Sequence, residues 1–297
     1  MKTSIGIDLG GTWMRAALLR EDGTLLHVLR ERTQPQRGAQ DVLTRMAALA
    51  RSLPGFDAAC GVGVGVPAAV DPRAGTLRLA SNLVGFETLA PAPALEALLD
   101  KPVRVENDAN AACIAEALLG AGKGVDTVVY VTISTGIGGG IWDRGRLLSG
   151  MRGCAGEFGS LCIDPRRPAR LDLGPGAVES EASGESIVRR AQERLGRPFA
   201  HAGEVFDLAA AGDAQADALL DDVALDLAQL FAALACIVDP GVFVLGGGVM
   251  QRAQQLLPRV EQAYRRLVPA AFADIPLRKA SLDEPGLTGA GLLAMQP

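Results

Sequence analysis

Short apolar runs fill Thr3–Leu9 and Trp13–Arg20, and only Gly10, Gly11 and Thr12 stand between them. Runs of this length separated by glycine predict the two strands of a tight hairpin. A third strand is expected over residues 24–32, after the turn Glu21-Asp22-Gly23. The period then changes, because Val42, Leu43, Met46, Leu49 and Ala50 recur at helical spacing within residues 38–52 and give one apolar face. Residues 60–66 alternate valine with glycine, which bares one face of a strand to another backbone or to a ligand. Residues 101–105 predict a strand that runs into an alanine-rich helix over 109–119, closed by Gly120, Gly122 and Gly124, which read as a hinge. A second strand, 126–134, turns through residues 135–140 into Ile141 and Trp142, repeating the order strand, glycine turn, strand. From Ser183 to Ile237 helical spacing dominates, and residues 213–236 contain no proline or glycine. Asp239-Pro240 ends that helix. A short strand, 242–245, leads into Gly246, Gly247 and Gly248 and a helix over 251–267. A last strand near 276–279 and a helix over 288–295 follow.

A length of 297 residues makes two domains the default. Hydrophobic residues at 48% and charged residues at 21% describe a soluble globular protein, and aromatics at 4% argue against a carbohydrate-stacking surface or an RNA platform. A net charge of -5, with no basic cluster beyond Arg166-Arg167 and Arg189-Arg190, argues against a nucleic-acid partner. We find no charged-then-apolar leader and no apolar run long enough to span a bilayer, so we expect a cytoplasmic protein with no membrane partner. Five cysteines without a C-x-x-C pair read as reduced thiols, and His27 and His201 read as surface residues.

The chemistry concentrates in V-E-N-D-A-N, residues 105–110, at a strand-to-helix junction. Asp108 there can accept a proton from a hydroxyl that the amides of Asn107 and Asn110 orient, or it can simply cap the helix. The hairpin glycines offer backbone N–H groups to phosphate oxygens, and Asp8, just before the turn, can hold magnesium directly or through water. Asn82, in a polar break, is a candidate substrate contact or a turn residue. Gly246 to Gly248 let a flat ring lie against backbone, or simply form a glycine-rich loop. Residues 164–176, rich in Pro, Arg and Gly, read as an exposed loop between Glu157 and Glu179.

D-L-G-G-T at Asp8, E-N-D-A-N at Glu106, T-I-S-T-G-I-G-G-G at Thr132, G-E-F-G at Gly156 and L-G-G-G-V at Leu245 together resemble the ROK family (repressor, open reading frame, kinase) of the actin-like sugar kinase superfamily. The resemblance implies an α/β fold of two ribonuclease-H-like domains facing a central cleft. Residues 1–118 would form the first, with a C-terminal helix of about 286–297 returning to it, and 119–285 the second. It also implies ATP-dependent phosphorylation of a sugar hydroxyl, glucokinase-like, by a homodimer. Asp108 is then the base, and Asn82, Asn107, Asp108, Glu157, Ser160 and Glu179 face the sugar. Asp8, Gly10, Gly11, Thr12, Thr135, Gly136, Gly138, Gly246, Gly247 and Gly248 serve ATP, with Asp8 the magnesium residue. Two departures matter, and Trp13 is a smaller third. Ser160 stands where relatives place His, Trp13 stands where many have a smaller or basic residue, and residues 166–177 lack every cysteine of the family's zinc motif. One thiol, Cys162, cannot make a tetrahedral site, so no zinc is expected. A zinc-free kinase is favoured, and the alternative is a catalytically inactive sugar or nucleotide sensor. With two residues ahead of the first strand, a DNA-binding repressor is not expected.

Overall fold

The computed structural model describes residues 1–78, 85–86, 89–170 and 172–296. In chain order the first elements are β1 (Thr3–Leu9), β2 (Trp13–Arg20), β3 (Leu25–Arg32), α1 (Ala39–Arg51), β4 (Val62–Val66), β5 (Ala69–Val70) and β6 (Leu77–Arg78). They are followed by α2 (Pro91–Leu99), β7 (Val103–Asn107), α3 (Asp108–Leu118), β8 (Thr127–Ile133), β9 (Ile137–Asp143) and β10 (Arg146–Leu147). The remainder is α4 (Glu179–Ala182), α5 (Gly184–Leu195), α6 (Ala202–Ala210), α7 (Ala214–Val238), β11 (Val242–Gly246), α8 (Ala253–Leu267), β12 (Leu277–Lys279) and α9 (Pro285–Leu293).

One five-stranded sheet has the order β3-β2-β1-β4-β7 and the other the order β10-β9-β8-β11-β12. In the first, β1 pairs antiparallel with β2 and parallel with β4, and β4 pairs parallel with β7. In the second, β11 runs parallel to both β8 and β12. The same strand order therefore occurs twice, which is the ribonuclease-H-like architecture the resemblance implied.

By internal contacts the chain divides into a first unit, Met1–Gly124, Gly140–Gly156 and Ser281–Pro297, and a second, Val125–Gly139 and Glu157–Ala280. The division runs through β9, whereas the sequence expectation divided the chain at 118 and 285 and kept 140–156 with the second domain. A β-carbon on Gly140 would stand 2.7 Å from Asn110 Oδ1 and 2.8 Å from Cys113 Cβ, so this stretch of β9 lies against α3.

The first unit is built on glycine. A β-carbon on Gly6 would lie 2.4 Å from Leu287 O, and one on Gly63 would lie 1.8 Å from Ala290 O. The valine-glycine alternation therefore serves a backbone, that of α9, which packs directly on β1 and β4. Gly289 answers from the other side, since its β-carbon would meet Ala111 O of α3 at 1.7 Å. Ser4 Oγ donates to Gly291 O at 2.6 Å and fixes the register. Glu116 is fully buried near the end of α3, where its carboxylate accepts N–H groups from Ala121 at 2.8 Å and from Ser281 and Leu282 at 3.0 and 2.9 Å. The glycines after α3 thus fold onto Glu116, and a β-carbon on Gly120 would lie 2.1 Å from its Oε2.

In the second unit α7 is capped by Asp213, whose side chain accepts from Gln215 N and Ala216 N. It ends at Asp239 in the left-handed region, followed by Pro240. Phe231, Phe243 and Tyr264 stack edge to face and close α7 and α8 over the sheet.

One expectation is corrected. Residues 138–140 do not belong to the turn after β8; they lie inside β9, and the turn is confined to Ser134–Gly136. Gly139 is glycine because a β-carbon would lie 2.3 Å from Tyr130 O and 2.5 Å from the Phe158 ring.

Candidate active site

Asn107, not Asp108, caps α3. Its Oδ1 accepts from Ala109 N at 2.9 Å and Asn110 N at 3.1 Å, while its Nδ2 makes one long contact, 3.4 Å, with Ala68 O. The capping duty falls on Asn107, so Asp108 begins the helix with its carboxylate bonded to its neighbour's N–H, Ala109 N to Oδ1 at 2.8 Å. Opposite it, a β-carbon on Gly65 would touch Asp108 at ordinary contact distance, 3.5 Å, so glycine keeps that side open.

Glu106 and Asn110 take roles the sequence did not assign. Glu106 Oε1 accepts from Asn107 N and Asn110 Nδ2, each at 2.9 Å, and Oε2 accepts from Ser149 Oγ at 3.4 Å. Burial pushes the Glu106 carboxyl above its ordinary 4.5, against those hydrogen bonds, which lower it. Asn110 is 1% exposed; its amide nitrogen donates to Glu106, and its Oδ1 is buried with no hydrogen-bond partner among the described residues.

The hairpin between β1 and β2 uses Gly10 N for itself, donating to Trp13 O at 2.9 Å, and Thr33 braces it through Gly10 O and Thr12 O. The exposed Gly11 and Thr12 carry the N–H groups the hairpin leaves unused. Asp8 Oδ2 meets Arg15 Nη2 at 2.5 Å, and the other arm of that guanidinium binds Glu284. Burial works against the Arg15 cation, but the Asp8 and Glu284 pairs outweigh it and raise its pKa. Asp8 Oδ1 faces Gly286 at the start of α9, 4.0 Å from where a β-carbon would stand. Trp13 lies under two guanidinium groups, those of Arg30 and Arg32, at 5.1 and 4.1 Å from its ring centre.

In the second unit Glu179 stands at the start of α4 and reaches back to the hairpin of β8 and β9. Its Oε2 accepts the Ile137 N–H at 2.7 Å, and β-carbons on Gly136 or Gly159 would lie 2.6 and 2.9 Å from that oxygen. Gly136 thus makes room for the Glu179 carboxylate, whereas Gly159 is held small first by the Ile137 carbonyl, 2.3 Å from where its β-carbon would stand. Glu157 precedes the turn Phe158–Ser160. Burial, and then the neighbouring charge of Glu179, push its carboxyl above the ordinary value. Ser160 is exposed on the same turn. Asn82 lies outside the described residues.

The glycines after β11 divide by role. Gly246 is buried and a β-carbon there would strike Tyr130 Oη at 2.3 Å, a packing reason that needs no ligand. Gly247, with φ of +89°, fits against Ile133 O, whereas Gly248 lines a cavity of about 580 Å³. The hairpin residues Ser134 and Thr135 form one wall of this cavity, Val188, Arg189 and Gln192 of α5 another, and His201, Gly203 and Phe206 a third. Gly136 and Gly138 are not among its lining residues. Sequence reasoning found the glycine wall and missed the α5 and α6 walls. Their signal, a valine and a phenylalanine at ordinary helical spacing, is that of any core face.

The zinc question can be put to the donors present. Cys162 is exposed, and among the described residues no group of three His, Cys, Asp or Glu side chains is placed to hold a metal ion. The residues of this region do not fit the family's zinc. Among the described residues, no helix is long and apolar enough to cross a membrane.

The ROK family model matches residues 4–297. A glucokinase of Thermotoga maritima is 31% identical, over 96% of this chain and 95% of its own. Among solved structures, a ROK hexokinase from Thermus thermophilus is 36% identical with a TM-score of 0.89, covering 99% of this chain and 98% of that one. A ROK family glucokinase from Streptomyces griseus, solved with glucose and AMPPNP, is 29% identical with a TM-score of 0.85, covering 99% of this chain and all of that one.

Proposed function

The chain belongs to the ROK family, and from that membership we propose that it is an ATP-dependent sugar kinase that phosphorylates a hexose hydroxyl. The observation that carries the reading is the placement of a carboxylate, Asp108, as the first residue of α3, directly after Asn107, whose side chain caps that helix.

The sugar hydroxyl oxygen attacks the γ-phosphorus as the bond to the β,γ-bridging oxygen breaks. The hydroxyl proton passes to Asp108 and ADP leaves. In the first unit Asp108 is the base, Asn107 Nδ2 is a donor, and Gly11 and Thr12 offer their N–H groups to phosphate oxygens. In the second unit Glu157 and Glu179 accept hydroxyl donors, with Ser160 on the same turn, and the cavity of about 580 Å³ has a volume suited to an adenosine moiety. Thr135 and Gly136 flank the phosphates. Asp8 Oδ1, the oxygen not paired with Arg15, would hold the magnesium that accompanies ATP, directly or through water, and that ion supplies charge neutralisation. A cytoplasmic homodimer is the form this reading expects.

The test is ADP formation by the purified protein with ATP and magnesium across glucose, mannose, fructose, allose and N-acetylated amino sugars. Turnover on at least one sugar, absent without it, is expected and identifies the substrate. ADP release that ignores sugar, or silence across the panel in a protein that binds ATP, sinks the kinase reading and favours a sensor.

A further inference from the structure

Glu179 begins a helix of four residues, α4. A helix of one turn is not stable by itself, and its carbonyls need partners from elsewhere. Here α5 supplies them one by one: Ser186 Oγ donates to Glu179 O at 2.7 Å, Arg189 Nη2 to Ser180 O at 2.6 Å, and Arg190 Nη1 to Glu181 O at 2.7 Å. The same Arg190 nitrogen also donates to Asp226 Oδ2 on α7 at 2.7 Å.

The loop that carries the family's zinc motif in relatives is closed differently in this chain. At its base Ile163 N donates to Gly176 O at 2.9 Å, Cys162 pairs with Ala177, and Val178 N donates to Leu161 O at 2.9 Å. Gly176, with φ of +61°, is needed because a β-carbon would stand 1.9 Å from Asp164 O. From the loop, Arg167 reaches inward to Asp226 Oδ1 at 2.8 Å and to Glu181 Oε2 at 3.2 Å, in ion pairs that lack hydrogen-bond alignment. Asp226 is 1% exposed, so the two guanidinium groups that meet it compensate a charge that water does not reach. The loop read from sequence as simply exposed is thus tied to α7 and α4 through Arg167.

We infer that the ion network of Arg167, Glu181, Asp226 and Arg190 takes the place of a structural zinc in this chain, with Asp226 as the positioning residue that fixes the zinc-loop segment and the helix carrying Glu179. Asp226 touches no substrate; it acts through Arg190 on the α4 carbonyls and through Arg167 on the loop. The inference rests on the reading of Glu179 as a sugar ligand.

The experiment compares wild type with Asp226→Asn, Arg167→Ala and Arg167→Lys in metal content, amide hydrogen exchange and initial rates. Zinc in the purified wild type is expected far below one per chain, and a zinc-selective chelator with magnesium in excess leaves its rate unchanged. In Asp226→Asn and Arg167→Ala, exchange quickens in residues 163–170 and 179–182. Sugar KM rises roughly tenfold to a hundredfold, the scale of a displacement of about 1 Å, while ATP KM moves less than about twofold. Arg167→Lys recovers part of the sugar affinity, because a lysine keeps the charge but pairs with one carboxylate at a time. Stoichiometric zinc overturns the inference. So does unchanged exchange in both segments, or sugar and ATP KM rising together with a lowered melting temperature, which marks a merely structural role. Wild type that forms no sugar-dependent ADP overturns the kinase reading instead, and exchange and zinc content still decide the network.

Discussion

The turn between β1 and β2 and the turn between β8 and β9 occupy the same place in two sheets of one strand order, yet their carboxylates are balanced in opposite ways. At the first, Asp8 is met by the Arg15 guanidinium, itself held by Glu284. At the second, Glu179 is met by a neutral backbone N–H, that of Ile137, and Glu157 brings a second negative charge. A carboxylate paired with a cation is an electrostatically quiet neighbour for phosphates. Two carboxylates with no cation partner among the described residues are strong acceptors for hydroxyl donors. The duplicated scaffold thus fixes where a carboxylate stands, and the side chains around it decide which ligand it suits.

The largest expected effect falls on the first unit. Asp108→Asn keeps the size of the side chain and removes its capacity to accept a proton, so kcat should fall by roughly 10²- to 10⁴-fold, the usual worth of a general base. Sugar and ATP KM should stay within about threefold, since the amide oxygen of Asn still accepts a hydrogen bond from the sugar hydroxyl. Steady-state kinetics with the sugar found in the panel checks this, and near-normal kcat would remove Asp108 from the base role.

Next in size is a matched pair of glycine substitutions, one in each turn. In Gly136→Ala the new methyl would stand 2.6 Å from Glu179 Oε2, so the carboxylate must move. Sugar KM should rise about tenfold, equivalent to ~1.4 kcal/mol of binding. In Gly11→Ala nothing lies within 4 Å of the new methyl, and the stability change should stay within ~0.5 kcal/mol. If phosphates approach that turn, ATP KM rises a few-fold while sugar KM does not. Equal effects of the two alanines on sugar and ATP would erase the distinction between the turns.

The strands and the existence of both turns were legible in the sequence because glycine between short apolar runs is a local signal, whereas the order of the strands in each sheet came only with the family resemblance. Local signals did not say which glycine served what. The alternation at Gly63 left a backbone or a ligand open, and α9, which arrives from the far end of the chain, settled it. Gly139 and Gly246 read as turn or ligand glycines, yet each is small because Tyr130 occupies the space beside it. The cap at α3 offered two adjacent oxygen-bearing side chains, and only backbone geometry assigns the N–H groups to Asn107. Arg15 was invisible as the partner of Asp8 and Glu284 because its second contact spans 269 residues. The Arg167 anchor was hidden for the same reason, in a stretch whose prolines and glycines speak only of a loop.

The smallest expected effect is a pH dependence that belongs to the second turn alone. Glu157 has its folded pKa raised above the ordinary 4.5, by burial first and by Glu179 second. Below about pH 4 the carboxyl is protonated in both folded and unfolded chains, and it carries no penalty. As pH rises through 4.5 the unfolded chain releases the proton while the folded chain still holds it, so stability falls until the folded pKa is passed. Glu157→Gln cannot lose that proton. Its melting temperature, measured without sugar, should match wild type near about pH 4 and exceed it by a margin that grows toward about pH 7. Asp8→Asn offers the opposite control, because it strips a compensating charge from Arg15 and should lower the melting temperature at neutral pH. If Glu157→Gln instead lost stability as pH rose, Glu157 would be held by a cation in the folded protein, and the contrast between the two turns would collapse.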